Sequence, residues 1–287
     1  MRLPALAAFL PSARLFSRQA AHSRKLKEMN MSETCLVTIT QRVATITLNR
    51  PHKFNAFNLE SYQATTDTLR DADANADVGC IVLTGAGRGF CSGDDVEELM
   101  GGDGLQSLGD KKFEIPGPTM RRSTTPIIAA VNGAAVGYGF ELALMADIRL
   151  ASTNAKFSQM FIRRGLIAGA DSFRALTQLC GPAGAAEILL TGDMISAEEA
   201  VKFGIVRSLS EPDNLLKDAC ALAARIAANP PLAVARTRSA LHLTRSGQEE
   251  ALETLARDAL AELMRTKDHA ESVAAFLEKR EPVYQGN

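Results

Sequence analysis

Two stretches near the start of the chain, Cys35–Thr40 and Val43–Leu48, alternate apolar and polar side chains around Gln41 and Arg42. A period of two buries one face of a strand, so the pair predicts a β-hairpin. Leu59–Ala74 changes to helical spacing. Cys80–Thr84 is a short, continuously apolar run that reads as a buried strand and ends in the glycine-rich segment 85–93. Asp95 then opens a helix, with Glu98 three residues later completing a capping box. Residues 101–118, rich in glycine and polar side chains, predict a mobile loop. Ile127–Val131 is a second buried strand, followed by a turn, a small-residue helix over about 138–146 and a strand at Ile148–Ala151. From Asp171 onward the pattern predicts helices only, over about 171–180, 182–190, 196–203, 213–228, 232–245, 248–265 and 268–279. Strands interspersed with helices, then helices alone, predict an α/β core with a helical C-terminal layer.

Composition narrows the function classes. The 287 residues are 46% hydrophobic and 23% charged, with 32 basic against 33 acidic side chains. Such a chain is globular, and a near-neutral balance argues against nucleic acid as the main partner. No run of eighteen apolar residues suggests a membrane span. The five cysteines (Cys35, Cys80, Cys91, Cys180, Cys220) are odd in number, widely spaced and free of CxxC pairs. Reduced thiols fit that pattern, and neither a disulfide scaffold nor a metal site does. His52, His242 and His269 show no triad or metal-ligand spacing.

The first residues differ from the rest. Residues 1–27 carry Arg2, Arg14, Arg18, Arg24, Lys25 and Lys27, with no acidic residue and with Leu3, Leu6, Phe9, Leu10, Leu15 and Phe16 between the charges. Basic, acid-free and amphipathic is the composition of a mitochondrial transit peptide, so residues 1–31 predict a leader and a matrix location. Without those six basic residues the 32 become 26 against 33 acidic, which weakens nucleic-acid binding further.

The most informative stretch runs from Ile127 to Asp147. A buried strand passes through glycines into a helix N-terminus, which leaves backbone N–H groups unpaired and adds the partial positive charge of the helix dipole. Such donors suit a developing oxyanion, and Glu141 lies within the first turn beyond them. A carboxylate there serves as proton donor or acceptor; alternatively, the glycines serve packing and Glu141 only favours the helix N-terminus. A second glycine-rich turn, Arg88-Gly-Phe-Cys-Ser-Gly-Asp-Asp95, also follows a strand. Two such turns can each supply one N–H to a single carbonyl oxygen. Asp95 doubles as an N-cap.

These segments resemble a known family. Asn49-Arg-Pro-His-Lys-Phe-Asn-Ala56, Phe90-Cys-Ser-Gly-Asp-Asp95, Ala129-Ala-Val-Asn-Gly133 with Gly137 and Glu141, and Leu190-Thr-Gly-Asp-Met-Ile-Ser-Ala-Glu-Glu-Ala200 occur in the order seen in the enoyl-CoA hydratase/isomerase (crotonase) family. The resemblance covers residues 35–283. It implies an α/β fold, a crotonase-like spiral of ββα turns over 32–225, with a helical C-terminal trimerisation layer over 226–287. It implies an acyl-CoA thioester substrate, coenzyme A entering as part of that substrate with no separate cofactor and no metal, and a homotrimer or hexamer. It places the oxyanion hole at the N–H groups of Asp94 and Gly137, and the first catalytic glutamate at Glu141. The substrate's CoA portion would lie near Lys53, Phe54, Ala56 and Asp95, with Leu260 and Lys279 contributed by the last helices.

Two departures stand out. Where hydratases of the family carry a second glutamate, this chain has Phe161, which neither donates nor accepts a proton. Tyr138 replaces a small residue in the glycine run and adds bulk and a hydroxyl near the hole. Asp171 and Asp94 are the carboxylates that could compensate; Asp171 also fits an N-cap, and Asp94 would repel an enolate if it pointed inward. Arg163 and Arg164, which follow Phe161, are expected in surface ion pairs. The expected activity is water addition to an enoyl-CoA or a shift of its double bond. The alternatives are an isomerase using Asp171 or Asp94, or a non-catalytic acyl-CoA-binding member of the family.

Overall fold

The alternating stretches pair as their pattern predicts. In a computed structural model, which describes residues 32–100 and 114–287, β1 (Cys35–Thr40) and β2 (Val43–Leu48) form an antiparallel hairpin with Cys35 opposite Leu48. Gln41 and Arg42 both take positive φ, the turn geometry that matches the twist of the two strands. The leader and the 101–113 part of the glycine-rich segment lie outside the described residues.

After α1 (Leu59–Ala74) the chain repeats one plan. A long strand is followed by a short one and then by a helical segment. The first repeat is β3 (Cys80–Gly85), β4 (Gly89–Cys91), a π-helical turn at Val96–Met100 and α2 (Pro116–Arg122). The second is β5 (Ile127–Val131), β6 (Ala134–Val136) and α3 (Tyr138–Met145). The third is β7 (Ile148–Ser152), β8 (Lys156–Ser158) and α4 (Ala170–Thr191). Then come β9 (Ile195–Ser196), α5 (Ala197–Lys202) and β10 (Ser208–Ser210). The long strands build a six-stranded sheet in the order β1-β2-β3-β5-β7-β10, parallel from β2 onward, and the short ones a four-stranded sheet in the order β4-β6-β8-β9. This is the ββα spiral that the resemblance implies.

A parallel strand covered on both faces reads as a continuous apolar run, and β3 and β5 show why. Ile81, Leu83, Ile127, Ala129 and Val131 face the core shared with the small sheet and with α1, α3 and α4. The residues between them, Cys80, Val82, Ile128 and Ala130, face α6 (Leu215–Ala227) through Leu215, Ala219, Ala223 and Ala227. Ala227 still packs on the sheet, so the purely helical region begins just beyond it, with α7 (Pro231–Arg245), α8 (Glu249–Leu263) and α9 (Lys267–Glu278). No helix among the described residues is long and apolar enough to cross a membrane.

Some elements differ from the expectation. The helix at Asp95 is a single π-turn: Asp95 accepts from the Glu98 N–H at 3.4 Å, but the Glu98 carboxylate turns to Arg50 and Asn58 instead of closing the box. The helices expected at 171–180 and 182–190 are joined through Gly181, whose φ of 71° breaks the helix just before Pro182.

One buried cation fixes the C-terminal helices to the core. The Arg238 guanidinium, on α7, donates to Asp147 Oδ2 at 2.8 Å, to the Met120 carbonyl at 2.8 Å and to the Ser123 carbonyl. Asp147 Oδ2 in turn accepts from the Ile127 N–H at 2.8 Å, at the start of β5. Removing one partner of a buried, hydrogen-bonded pair strands the other. Arg238→Met is therefore expected to destabilise the fold by about 3 kcal/mol, measured as a shift of the urea unfolding midpoint.

Candidate active site

Backbone geometry builds the centre of the site. Beyond β4 the chain turns through Ser92, Gly93 and Asp94 against the segment that follows Asn55. The Phe57 N–H donates to the Gly93 carbonyl, and the Asp95 N–H to the Phe57 carbonyl, both at 2.8 Å. Successive residues of an extended chain present their groups to opposite sides, so Asp94, between them, turns its N–H away from Phe57. On the other wall, Gly137 is the N-cap of α3 with φ 54°. Its N–H donates to the Ser158 carbonyl at 2.8 Å and is therefore not available to a ligand. Tyr138 is the first helical residue, and its N–H is among those a helix leaves unpaired. The structure thus corrects one expected donor: the pair facing the cavity is Asp94 N–H and Tyr138 N–H, not Gly137.

The two turns meet because glycine lets them. A Cβ at Gly139 would lie 2.0 Å from the Cys91 carbonyl oxygen, and one at Gly93 would lie 2.8 Å from the Val136 carbonyl oxygen and 3.5 Å from Tyr138 N. Between them is a small cavity of about 40 Å³ bordered by Gly93, Asp94, Gly137, Tyr138, Phe161 and Arg164. Asn55 and Asn132 pin the loop before it, donating to the Ala86, Gly87 and Gly89 carbonyls.

Glu141 lies one turn into α3 and is 7% exposed. Its Oε2 accepts from the Gly169 N–H at 3.0 Å and from the Ser172 hydroxyl at 3.1 Å. The Ser172 oxygen accepts from Gln159 Nε2 at 2.9 Å, so a chain of donors runs from Gln159 through Ser172 to the carboxylate. Burial pushes the Glu141 carboxyl above the usual range; the two hydrogen bonds oppose this, while Asp171 and Asp94 add to it. A Cβ at Gly169 would come 2.2 Å from Glu141 Oε1, so any larger residue there would displace the carboxylate.

The Asp94 side chain turns to Tyr62, whose hydroxyl donates to Oδ1. Burial raises this carboxyl too, against the effect of that bond. Tyr138 does not put its hydroxyl into the hole. Its ring packs with Phe57 and Tyr62, centroids 5.7 and 5.1 Å away, and its oxygen accepts from the Gly117 N–H at 3.4 Å. Phe161 sits on a 3-10 turn (Met160–Arg164), its ring 3.8 Å from the place a Gly137 Cβ would take.

Other expected residues fall elsewhere. Asp171 is neither N-cap nor open base: Gly169 is the N-cap of α4, and Asp171 is joined to Arg121 and, at 2.6 Å, to Arg174. Asp95 is buried in an ion pair with Arg50 at 3.1 Å, which withholds its carboxylate from a ligand. Lys53 pairs with Glu97, the exposed Phe54 ring lies under the Arg88 guanidinium, and the carbonyl of the buried Ala56 accepts from Arg50 at 2.6 Å. This segment borders the Asp94 turn, since the Ser92 N–H donates to the Phe54 carbonyl at 3.0 Å. Leu260, on α8, and Lys279, just beyond α9, are exposed and do not border the hole. Arg163 pairs with Asp193 as expected, but Arg164 borders the cavity. Sequence reasoning missed Tyr62, Gln159, Ser172 and the Tyr138 N–H. Only the last had a signal, as the first residue after a glycine N-cap.

Comparison with known proteins follows this geometry. The sequence model of the family described as enoyl-CoA hydratase/isomerase matches residues 38–287. The (E)-benzylidenesuccinyl-CoA hydratase of Thauera aromatica is 38% identical over 86% of this chain and 97% of its own. The 1,2-epoxyphenylacetyl-CoA isomerase of Escherichia coli K12 is 33% identical over 89% of this chain and 100% of its own. Among solved structures, the enoyl-CoA hydratase of Mycobacterium tuberculosis H37Rv superposes with a TM-score of 0.81 at 33% identity, covering 89% of this chain and 100% of that one. These relatives are bacterial, and bacteria have no mitochondria. That overturns the mitochondrial-matrix location expected from the basic leader.

The buried Glu141 carboxylate makes a stability prediction. Its folded-state affinity for a proton is raised, so its contribution is fully favourable at acid pH and is lost as pH rises through the raised pKa. Glu141→Gln keeps an acceptor for Gly169 and Ser172 without a buried charge. The variant is expected to melt a few degrees above the wild type at pH 7, the gap closing as the pH is lowered toward 4. Thermal unfolding at the two pH values measures it.

Proposed function

The chain belongs to the enoyl-CoA hydratase/isomerase family, and from that premise we propose that it moves a proton within an enoyl-CoA thioester using Glu141 as its acid and base. The thioester carbonyl oxygen accepts from Asp94 N–H and Tyr138 N–H. As a proton leaves the neighbouring carbon, charge develops on that oxygen, and fixed donors in a water-poor site stabilise it. Loss of one such donor typically costs about 10²–10³ in rate. Glu141, one turn along the same helix, takes the proton and returns it. Its raised proton affinity improves the match to a weak carbon acid.

Phe161 is the observation that carries the choice of reaction. Efficient hydration in this family holds a water between two glutamates, and an apolar ring stands at the second position. A single carboxylate that alternately accepts and returns a proton shifts a double bond without net addition of water. We favour that reaction over rapid hydration of a short straight chain. Of the two other acids, Asp94 borders the hole with its carboxyl turned to the Tyr62 hydroxyl, whereas the Arg121 and Arg174 pairs hold Asp171 out of it. The partly exposed Lys53 and the exposed Phe54, beside the Asp94 turn with the buried Ala56 behind them, are the surface offered to the CoA portion.

The C-terminal helices support an oligomer. Phe276 and Leu277 on α9 are 82% and 73% exposed in the single chain, and Leu241, Leu260 and Met264 add apolar surface on α7, α8 and the residue after it. An apolar face of that kind is a protein contact surface. In a trimer, Leu260 and Lys279 would border a neighbour's site.

Two experiments test this reading. The full chain is incubated with a panel of enoyl-CoA thioesters in deuterated water and followed by mass spectrometry. Deuterium gain with a moved double bond and no added water is expected, and Glu141→Gln should lower the rate at least about 10³-fold. Rapid gain of water would refute the preference for isomerisation, and no change in a bound thioester would favour a non-catalytic binder. Sedimentation equilibrium should return three or six times the mass of one chain; a monomer would leave Leu260 and Lys279 without a role.

A further inference from the structure

A second cavity, of about 280 Å³, lies behind the catalytic helix and is separate from the oxyanion hole. Five basic side chains surround it: Arg121 from α2, Arg174 from α4, and Arg238, His242 and Arg245 from α7. The acids that answer them are few. Asp171 binds both Arg121 and Arg174, and Asp147 binds Arg238. Arg245, half-buried, has no acidic partner among the described residues.

Four arginines against two aspartates leave the cavity with an excess of positive charge. His242 senses this: burial and the neighbouring Arg245, Arg238 and Arg121 lower its proton affinity, with Asp147 alone opposing them. A concave site of one sign concentrates counter-ions of the other. Guanidinium groups present forked N–H donors that match the planar or tetrahedral oxygens of carboxylate and phosphate. The volume far exceeds the ~30 Å³ share of one water.

We propose that this cavity is a binding site for an oxyanion, a carboxylate or phosphate group held by Arg245 with Arg121 and Arg174. Two sources share that chemistry. One is a free oxyanion. The other is an acidic group at the far end of the acyl chain, since Met145, one turn after Glu141, forms part of the cavity wall. Only this second source rests on the thioester reading above.

The test follows the His242 ring by NMR as pH is varied, with the whole chain and with sulfate as the probe. Sulfate keeps its double charge over this range, and chloride at equal ionic strength is the control. A bound anion should raise the His242 pKa by about half a unit or more relative to chloride. Arg245→Gln should raise it without any probe, by removing a repelling cation, and should abolish the response to sulfate. Equal values in sulfate and chloride for the wild type would overturn the proposal, as would an unchanged sulfate response in Arg245→Gln. The wild-type comparison decides the matter even if the variant fails to fold. Glutaryl-CoA and butyryl-CoA then separate the sources: a shift with the first and not the second assigns the site to an acidic acyl tail. A shift with sulfate and with neither thioester assigns it to a free oxyanion.

Discussion

The first turn of α3 lies against the end of β4, with only a hydrogen atom at Gly139 to separate it from the Cys91 carbonyl. Everything at the site depends on that approach. It sets Tyr138 N–H beside Asp94 N–H, and it fixes the height at which Glu141 leaves the helix. Gly137 completes the arrangement by a different route. Its N–H is bonded to the Ser158 carbonyl in the small sheet, which anchors the start of α3 and leaves the next N–H free. The small sheet is therefore more than a cover for the large one, because its strands carry the turns from which both donors emerge.

Adjacent acids behave differently because their neighbours differ. Burial raises Asp94 more than its bond from Tyr62 lowers it. Burial also pushes Asp95 up, but Arg50, the Glu98 N–H and Lys53 together hold it below the usual carboxylate range. One side chain is thus a buried group beside the hole, and the next ties the Asn49–Phe57 segment to the turn. Glu141 belongs with Asp94. Its hydrogen bonds from Gly169 and Ser172 both reach one oxygen, so the carboxylate is oriented without being neutralised by a cation. A buried carboxylate with no counter-charge costs stability, and function is a reason to keep it.

Most of the long elements were legible because their pattern matched one period throughout. The β1–β2 hairpin and α1 fall where alternation and helical spacing put them. The three-residue strands β4, β6 and β8 could not be read, because three residues show no period. At the site, Glu141 and the two glycine turns were legible from a strand running through glycine into a helix, and Asp94 through the family resemblance. The error of one residue, Gly137 for Tyr138, came from treating the glycine as the donor when it is the cap. Asp171 is expected as a compensating acid and Asp95 as a neighbour of the CoA portion, but Arg121 and Arg50 reach them from segments distant in sequence. Ser172 and Gln159 were invisible for the same reason: their role exists only through α4 packing against α3.

Both groups proposed to hold the carbonyl oxygen belong to the main chain, and this has a consequence for how the protein can change over time. No side-chain substitution deletes a peptide N–H unless it introduces proline or moves the backbone. Tyr138 illustrates the freedom this gives. A bulky phenol occupies this position, and its ring is accommodated among Phe57 and Tyr62 while the backbone N–H stays in place. Selection can then act on the residues around the hole, Phe161 and Arg164 among them, with the electrostatic core of the reaction held constant. The scaffold is in this sense an evolvable one: its most essential donors are those least exposed to mutation, and its specificity lies in the side chains that are free to drift.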